Sequence, residues 1–146
     1  MERFRMEIES LSKNEELARV VTAVFMSRLD PTLEELDDVK TAVSEAVTNA
    51  VIHGYQEGEG IIYMELQAED KQLTVMVRDL GVGIADVKRA MEPMYTTDPS
   101  GERSGMGFSF MEAFMDDLEV LSVVGEGTTI IMKKKIGCIP WIEDEE

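Results

Sequence analysis

Ser44-Glu45-Ala46-Val47-Thr48-Asn49-Ala50-Val51-Ile52-His53-Gly54 has its apolar and polar residues sorted onto different sides of a helix. Leu36, Val39, Val43, Ala46, Val47 and Ala50 recur at three- and four-residue spacing, the repeat of a helix with one buried face. Glu45, Asn49 and His53 each stand four residues from the next, so they share one side and flank that stripe. A carboxylate and a carboxamide at the edge of a core suggest a site. Asn offers an oxygen to a hard cation such as Mg²⁺, and Glu can accept a proton from an attacking hydroxyl or water. Taken alone, the pattern also reads as ordinary helical polarity, and His53 as a residue bonding near a helix C-terminus.

Working outward, Asp30-Pro31-Thr32 starts this helix, with Thr32-x-x-Glu35 as a capping box, and Gly54 is suited to end it after about His53. Upstream, Phe4, Met6 and Ile8 alternate with charges as in a half-buried strand. A helix follows, capped by Ser12-x-x-Glu15 or by Asn14, with Leu17, Val20, Val21, Val24 and Phe25 as its apolar face. Downstream come strands at about Ile61–Ala68 and Gln72–Arg78, joined by a polar turn at Asp70-Lys71. A glycine-punctuated turn, Asp79-Leu80-Gly81-Val82-Gly83-Ile84, precedes a short helix near Asp86–Met91. Glu92 to Ser104, with two prolines and a glycine, reads as a loop long enough to serve as a lid. Gly105-Met106-Gly107 opens a helix reaching about Asp117, and Val120–Val124 and Thr128–Lys134 close a hairpin around Gly125-Glu126-Gly127.

These elements predict a two-layer α/β sandwich, its mixed, mostly antiparallel sheet covered on one face by helices. One domain over residues 1–136 and an acidic tail over 137–146 account for the 146 residues. Fourteen basic against thirty acidic residues leave a net charge of −16, which argues against a nucleic-acid binder. Phosphates would have to be held locally, by a metal, helix N-termini or a few placed cations. The single cysteine, Cys138, excludes an internal disulfide and a multi-cysteine metal site. With no signal-like start and no apolar run long enough for a membrane helix, the expected location is the cytoplasm, without membrane attachment.

Two further stretches could carry chemistry. In Asp79-Leu80-Gly81-Val82-Gly83 the glycines clear space where backbone turns tightly or approaches a ligand, and Asp79 at a strand end could accept a bond from an exocyclic amine. A turn with an Asp cap explains it equally without a ligand. In Arg103-Ser104-Gly105-Met106-Gly107, unobstructed N–H groups at a helix start could cradle phosphate, with Arg103 neutralising its end; a plain glycine-rich helix entry is the other reading. There is no G-x-x-x-x-G-K-[ST], no H-R-D and no D-F-G, which excludes a P-loop nucleotidase and a eukaryotic-type kinase.

In order and separation, the three stretches resemble the N, G1 and G2 boxes of the GHKL ATPases, whose ATP-binding unit is the Bergerat fold. Asp30-Pro31-Thr32, Ser44 through Tyr55, Arg78 through Ile84 and Arg103 through Phe108 resemble more narrowly the anti-sigma F factors of spore-forming bacteria. The likeness spans roughly residues 5 to 133.

The resemblance implies ATP or ADP as ligand, with Mg²⁺. It assigns the metal to Asn49 and the catalytic base to Glu45. Asp79 would bond the adenine amino group, with Gly81, Gly83 and Ile84 around the base and Thr129 reaching it through water. Ser104, Gly105, Met106 and Gly107 would wrap the phosphates, and Arg103 would meet the γ-phosphate. Arg19 would touch both protein partners. Those partners would be the sporulation sigma factor F, held by a homodimer, and a small STAS-domain anti-anti-sigma protein phosphorylated on serine. The nucleotide would tune partner choice through the Glu92–Ser104 loop. A general-stress anti-sigma kinase, with the same chemistry and a different sigma factor, is the nearest alternative. A histidine kinase would need a phosphoacceptor helix pair, and a gyrase-type machine a further domain.

Overall fold

The structure, a computed structural model, describes residues 1–92 and 107–137. In chain order these form β1 (Glu2–Glu9), α1 (Asn14–Met26), a 3-10 turn (Ser27–Leu29), α2 (Leu33–Thr48), a π-helical segment (Asn49–Gly54), β2 (Ile61–Glu69), β3 (Gln72–Asp79), α3 (Val87–Ala90), α4 (Gly107–Phe114), β4 (Asp117–Val123) and β5 (Gly127–Lys135). The strands make one sheet in the order β1-β2-β3-β5-β4. Its pairings among the described residues are all antiparallel, where a mixed sheet was expected. Short hairpins account for the β2–β3 and β4–β5 pairings, while β1–β2 and β3–β5 are joined by connections that carry the helices. Asp70 and Lys71 both take positive φ, at 50° and 65°, so that Glu69 pairs directly with Gln72 across a two-residue turn.

Period-two alternation decides which face the helices cover. Ile62, Met64, Leu66 and Ala68 of β2, Leu73, Val75 and Val77 of β3, and Ile130 and Met132 of β5 are buried. They meet Val39, Val43, Ala46 and Val47 from α2 in one core. The α1 stripe differs from expectation. Leu17, Val20 and Val24 are exposed, whereas Ala18, Thr22, Phe25 and Met26 are buried. Thr22 can sit inside because its hydroxyl donates to the Ala18 carbonyl at 2.8 Å. The expected caps are also absent. Lys13 occupies the N-cap position with no side-chain bond, and the Asn14 amide donates instead to the Glu9 carbonyl.

The capping box at α2 is present as read. Thr32 Oγ1 accepts from the Glu35 N–H at 3.1 Å, and Glu35 Oε1 accepts from the Thr32 N–H at 2.9 Å. Glu35 also accepts from the Gly137 N–H at 3.0 and 3.2 Å, which ties the end of the sheet to the start of the helix. Glu35→Ala orphans both donors. It is expected to lower the unfolding free energy by about 1–2 kcal/mol in urea titration. Among the described residues, no helix is long and apolar enough to cross a membrane.

Candidate functional site

Beyond Thr48 the helix widens. The Tyr55 N–H bonds to the Ala50 carbonyl at 2.8 Å, five residues back, and π-helical turns are frequent at functional sites. This change follows from contacts the segment makes at its end. A Cβ on Gly54 would lie 2.6–2.7 Å from the Asp79 carboxyl group, and one on Gly81 only 1.9 Å from the Gly54 carbonyl oxygen. Val82 N–H donates to that same oxygen at 2.9 Å. The Tyr55 hydroxyl accepts from the Leu80 N–H at 2.8 Å and donates to the Ile61 carbonyl. The end of the Glu45–Gly54 segment and the Asp79–Ile84 turn are thus one clamped unit, and side chains at positions 54 and 81 would pry it open.

At its centre is Asp79, 2 % exposed at the end of β3. Burial pushes its carboxyl pKa up, and the backbone N–H groups of Gly81 and Thr128 partly pull it back. The Gly81 N–H reaches Oδ1 at 2.9 Å. Gly83 takes φ +77°, and a Cβ there would strike the Val123 carbonyl at 2.3 Å. Half-buried Ile84 is fixed by its N–H on Ser122 Oγ at 2.7 Å. Ser122 Oγ in turn lies 2.8 Å from Thr128 Oγ1.

This places Thr128, not Thr129, beside Asp79. Thr128 is opposite Asp79 in the β3–β5 register and 3 % exposed, whereas Thr129 is opposite Arg78. Strand side chains alternate faces, so Thr129 projects from the other side of the sheet. The signal was available in the sequence: Thr128 shares the parity of the core residues Ile130 and Met132.

On the helix side, Asn49 is 9 % exposed and Glu45 is half-buried. Glu45 Oε2 lies against the first residue of α4, 3.2 Å from where a Gly107 Cβ would be. The structure therefore joins α2 to the start of α4 at Glu45, and the π-helical segment to the end of β3 at Gly54. His53, half-buried in the wider turn, leaves the four-residue alignment with Glu45 and Asn49 that a continuous α-helix would give. Arg103, Ser104, Gly105, Met106 and the bulk of the Glu92–Ser104 loop lie outside the described residues, as does Cys138. Arg19 stands apart on α1, with Nη1 3.8 Å from Glu15 Oε1. Among the described residues there is no cluster of three or more His, Cys, Asp or Glu side chains suited to a metal ion.

Residues 8–134 match the family model described as Histidine kinase-like ATPase domain. The anti-sigma F factor of Clostridium acetobutylicum is 56% identical over 137 residues, covering 92% of this chain and 96% of its own. That of Pasteuria penetrans is 54% identical over 140 residues, with 93% of each covered. That of a Geobacillus species is 50% identical over 132 residues, with 90% of each covered. The solved RsbU and RsbW domains of Rv1364c from Mycobacterium tuberculosis share the fold at TM-score 0.67 and 17% identity; the match takes in 93% of this chain and 33% of that longer one. With an ATPase-domain match across nearly the whole sheet and majority identity to relatives of its own length, the chain belongs to the anti-sigma F factor family of histidine kinase-like ATPase domains.

Proposed function

We propose that this protein is an ATP-dependent serine kinase that binds and inhibits sigma factor F and inactivates a STAS-domain anti-anti-sigma protein by phosphorylating it. The observation that carries the reading is the buried Asp79 carboxylate. It is clamped under Gly54 and Gly81, at the end of the helical segment that carries Glu45 and Asn49. There it accepts from the adenine amino group, and Thr128 replaces Thr129 as the hydroxyl nearest to it. The resemblance assigns the phosphates to N–H groups of Ser104, Gly105, Met106 and Gly107, and the γ-phosphate to Arg103.

Asn49 fits a role toward Mg²⁺. It is a buried, neutral oxygen donor, as suits an ion that draws its other ligands from nucleotide phosphates and water. Bound there, Mg²⁺ supplies charge neutralisation on the phosphoryl oxygens. Glu45 accepts the proton of the partner's serine hydroxyl as the serine oxygen bonds to the γ-phosphorus and the bridging oxygen leaves with ADP. Positioning and electrostatics carry most of the rate.

Exposed Leu17, Val20 and Val24 support α1, the helix that carries Arg19, as a docking element. Arg19→Ala is expected to weaken capture of sigma factor F while the unfolding free energy stays within about 0.5 kcal/mol, since an exposed helical Arg holds little of the fold. A fall in nucleotide affinity instead would remove Arg19 from docking.

The homodimer has support in β1, an edge strand. Two copies paired antiparallel about Met6 would set Arg3 against Glu9, Arg5 against Glu7 and Phe4 against Ile8, a self-complementary two-fold contact. Reversing Arg3 and Arg5 to Glu is expected to give monomers in sedimentation, and reversing Glu7 and Glu9 to Arg in the same chain to restore dimers. A dimer indifferent to the first pair of changes would place the contact elsewhere.

The function is tested by incubating the protein with ATP, Mg²⁺ and separately the sporulation and general-stress anti-anti-sigma proteins. Phosphoserine on the first alone is expected. Phosphoserine on the second alone would make the chain a general-stress regulator, and none on either would make it a binding module without turnover.

A further inference from the structure

We propose that Glu15 is a positioning residue for partner capture, and that the Thr48 hydroxyl ties it to the segment that holds the nucleotide. The inference rests on the reading of Arg19 as a partner contact and of Asn49 as part of the nucleotide site.

The Glu15 carboxylate is shared between two groups. Oε2 accepts from Thr48 Oγ1 at 2.9 Å, joining α1 to the end of α2. Oε1 faces Arg19 Nη1 at 3.8 Å, one helical turn along α1. By itself an exposed i,i+4 pair holds an arginine weakly, because both side chains must be ordered to make it. Here one member is already ordered. A hydroxyl-to-carboxylate bond is charge-assisted and strong for its size, so Arg19 alone remains to be immobilised. That lowers the entropy lost when a partner docks. The helix also leaves apolar surface open on another of its sides, where Leu17, Val20 and Val24 are 47 %, 52 % and 63 % exposed.

The anchor's position gives it a second property. Thr48 is the last α-helical residue before the π-helical segment begins at Asn49, and it lies three residues beyond Glu45. Nearby hydroxyls do not offer the same link. Thr22 bonds its own helix, and the buried Ser44 Oγ has no partner. Any shift of the α-to-π boundary when nucleotide engages Asn49 moves the Thr48 hydroxyl directly. Through Glu15 it then changes how firmly Arg19 is presented. Linkage makes the effect reciprocal, so partner binding alters nucleotide affinity by the same factor.

The test is a double-mutant cycle. Affinity for sigma factor F is measured with ATP and with ADP, in Mg²⁺, for wild type, Thr48→Val, Thr48→Ser, Glu15→Gln, Arg19→Ala and the Thr48→Val/Arg19→Ala double variant. ATP affinity without partner is measured in parallel. Thr48→Val is expected to weaken capture by about fivefold or more, the lower range of such couplings, and to narrow the difference between ATP and ADP. ATP affinity alone should stay within about twofold, and Thr48→Ser should behave as wild type. In the Arg19→Ala background Thr48→Val should have no further effect. Glu15→Gln keeps an acceptor for Thr48 but removes the charge facing Arg19, and should also weaken capture, which provides the readout if the valine variant does not fold. Equal losses from Thr48→Val with and without Arg19, or full capture by Glu15→Gln, overturn the relay and leave the role of Arg19 standing. Full capture by Arg19→Ala overturns both.

Discussion

Glu45→Ala is expected to bind ATP with near wild-type affinity and to phosphorylate the anti-anti-sigma serine at least about a hundredfold more slowly, the usual worth of a positioned general base. Affinity should survive because the proposed adenine contacts, around Asp79, Gly81 and Thr128, do not include position 45. The rate should not, because the Glu45 carboxylate, which lies against Gly107 of α4, is the group proposed to take the serine proton. Single-turnover phosphorylation with saturating ATP separates the two effects. A rate within a few-fold of wild type would remove Glu45 from the mechanism and leave charge stabilisation to do the catalysis alone.

Asp79→Asn should have the complementary phenotype, losing about a hundredfold in nucleotide affinity. That is the loss of one charge-assisted bond to the adenine amine, roughly 1.5–3 kcal/mol, since an Asn oxygen can still accept from the Gly81 N–H. The pH dependence gives the more specific signature. Burial raises the Asp79 pKa above its unfolded value. The folded state therefore binds more protons between those two values, and stability falls as pH rises through that window. Nucleotide affinity runs the other way. It needs the ionised, accepting carboxylate, so it falls as pH drops through the raised pKa. Calorimetric titration of ATP and urea denaturation, each over the acid range, should show opposite slopes in wild type, and neither slope component in the Asn variant. Affinity independent of pH through that range would mean that Asp79 does not contact the base.

Elements whose cause is local were legible in the chain. Thr32 and Glu35 cap α2 through neighbours three residues apart, and Asp70-Lys71 turns because two residues suffice to reverse an antiparallel pair. The parts that depend on distant neighbours were not. On α1 the hydropathy stripe predicts Leu17, Val20 and Val24 inside, yet they are exposed; Val21 and Phe25 pack inward as expected, joined by Ala18 and Thr22. A small side chain and a self-bonded hydroxyl fit where helices run close, and hydropathy does not report that fit. The π-helical segment has no local signature, because it follows from Gly54 being pinned beneath Gly81 and against Asp79. Thr128 was missed for a different reason. The resemblance supplied a threonine in Gly127-Thr128-Thr129, and strand parity, which decides between the two, was not applied. Glu45 and Asn49 lie on the segment that Gly54 ends, and Gly54 is pinned against Asp79, so the helix and the strand end are tied into one unit while each fixes its own direction locally.

Uptake of ATP by the folded protein, followed by isothermal titration with and without Mg²⁺, tests the central claim most directly. The account predicts one nucleotide bound per chain, more tightly with the metal than without it. Well-folded protein that releases no heat and retains no nucleotide under either condition would contradict it.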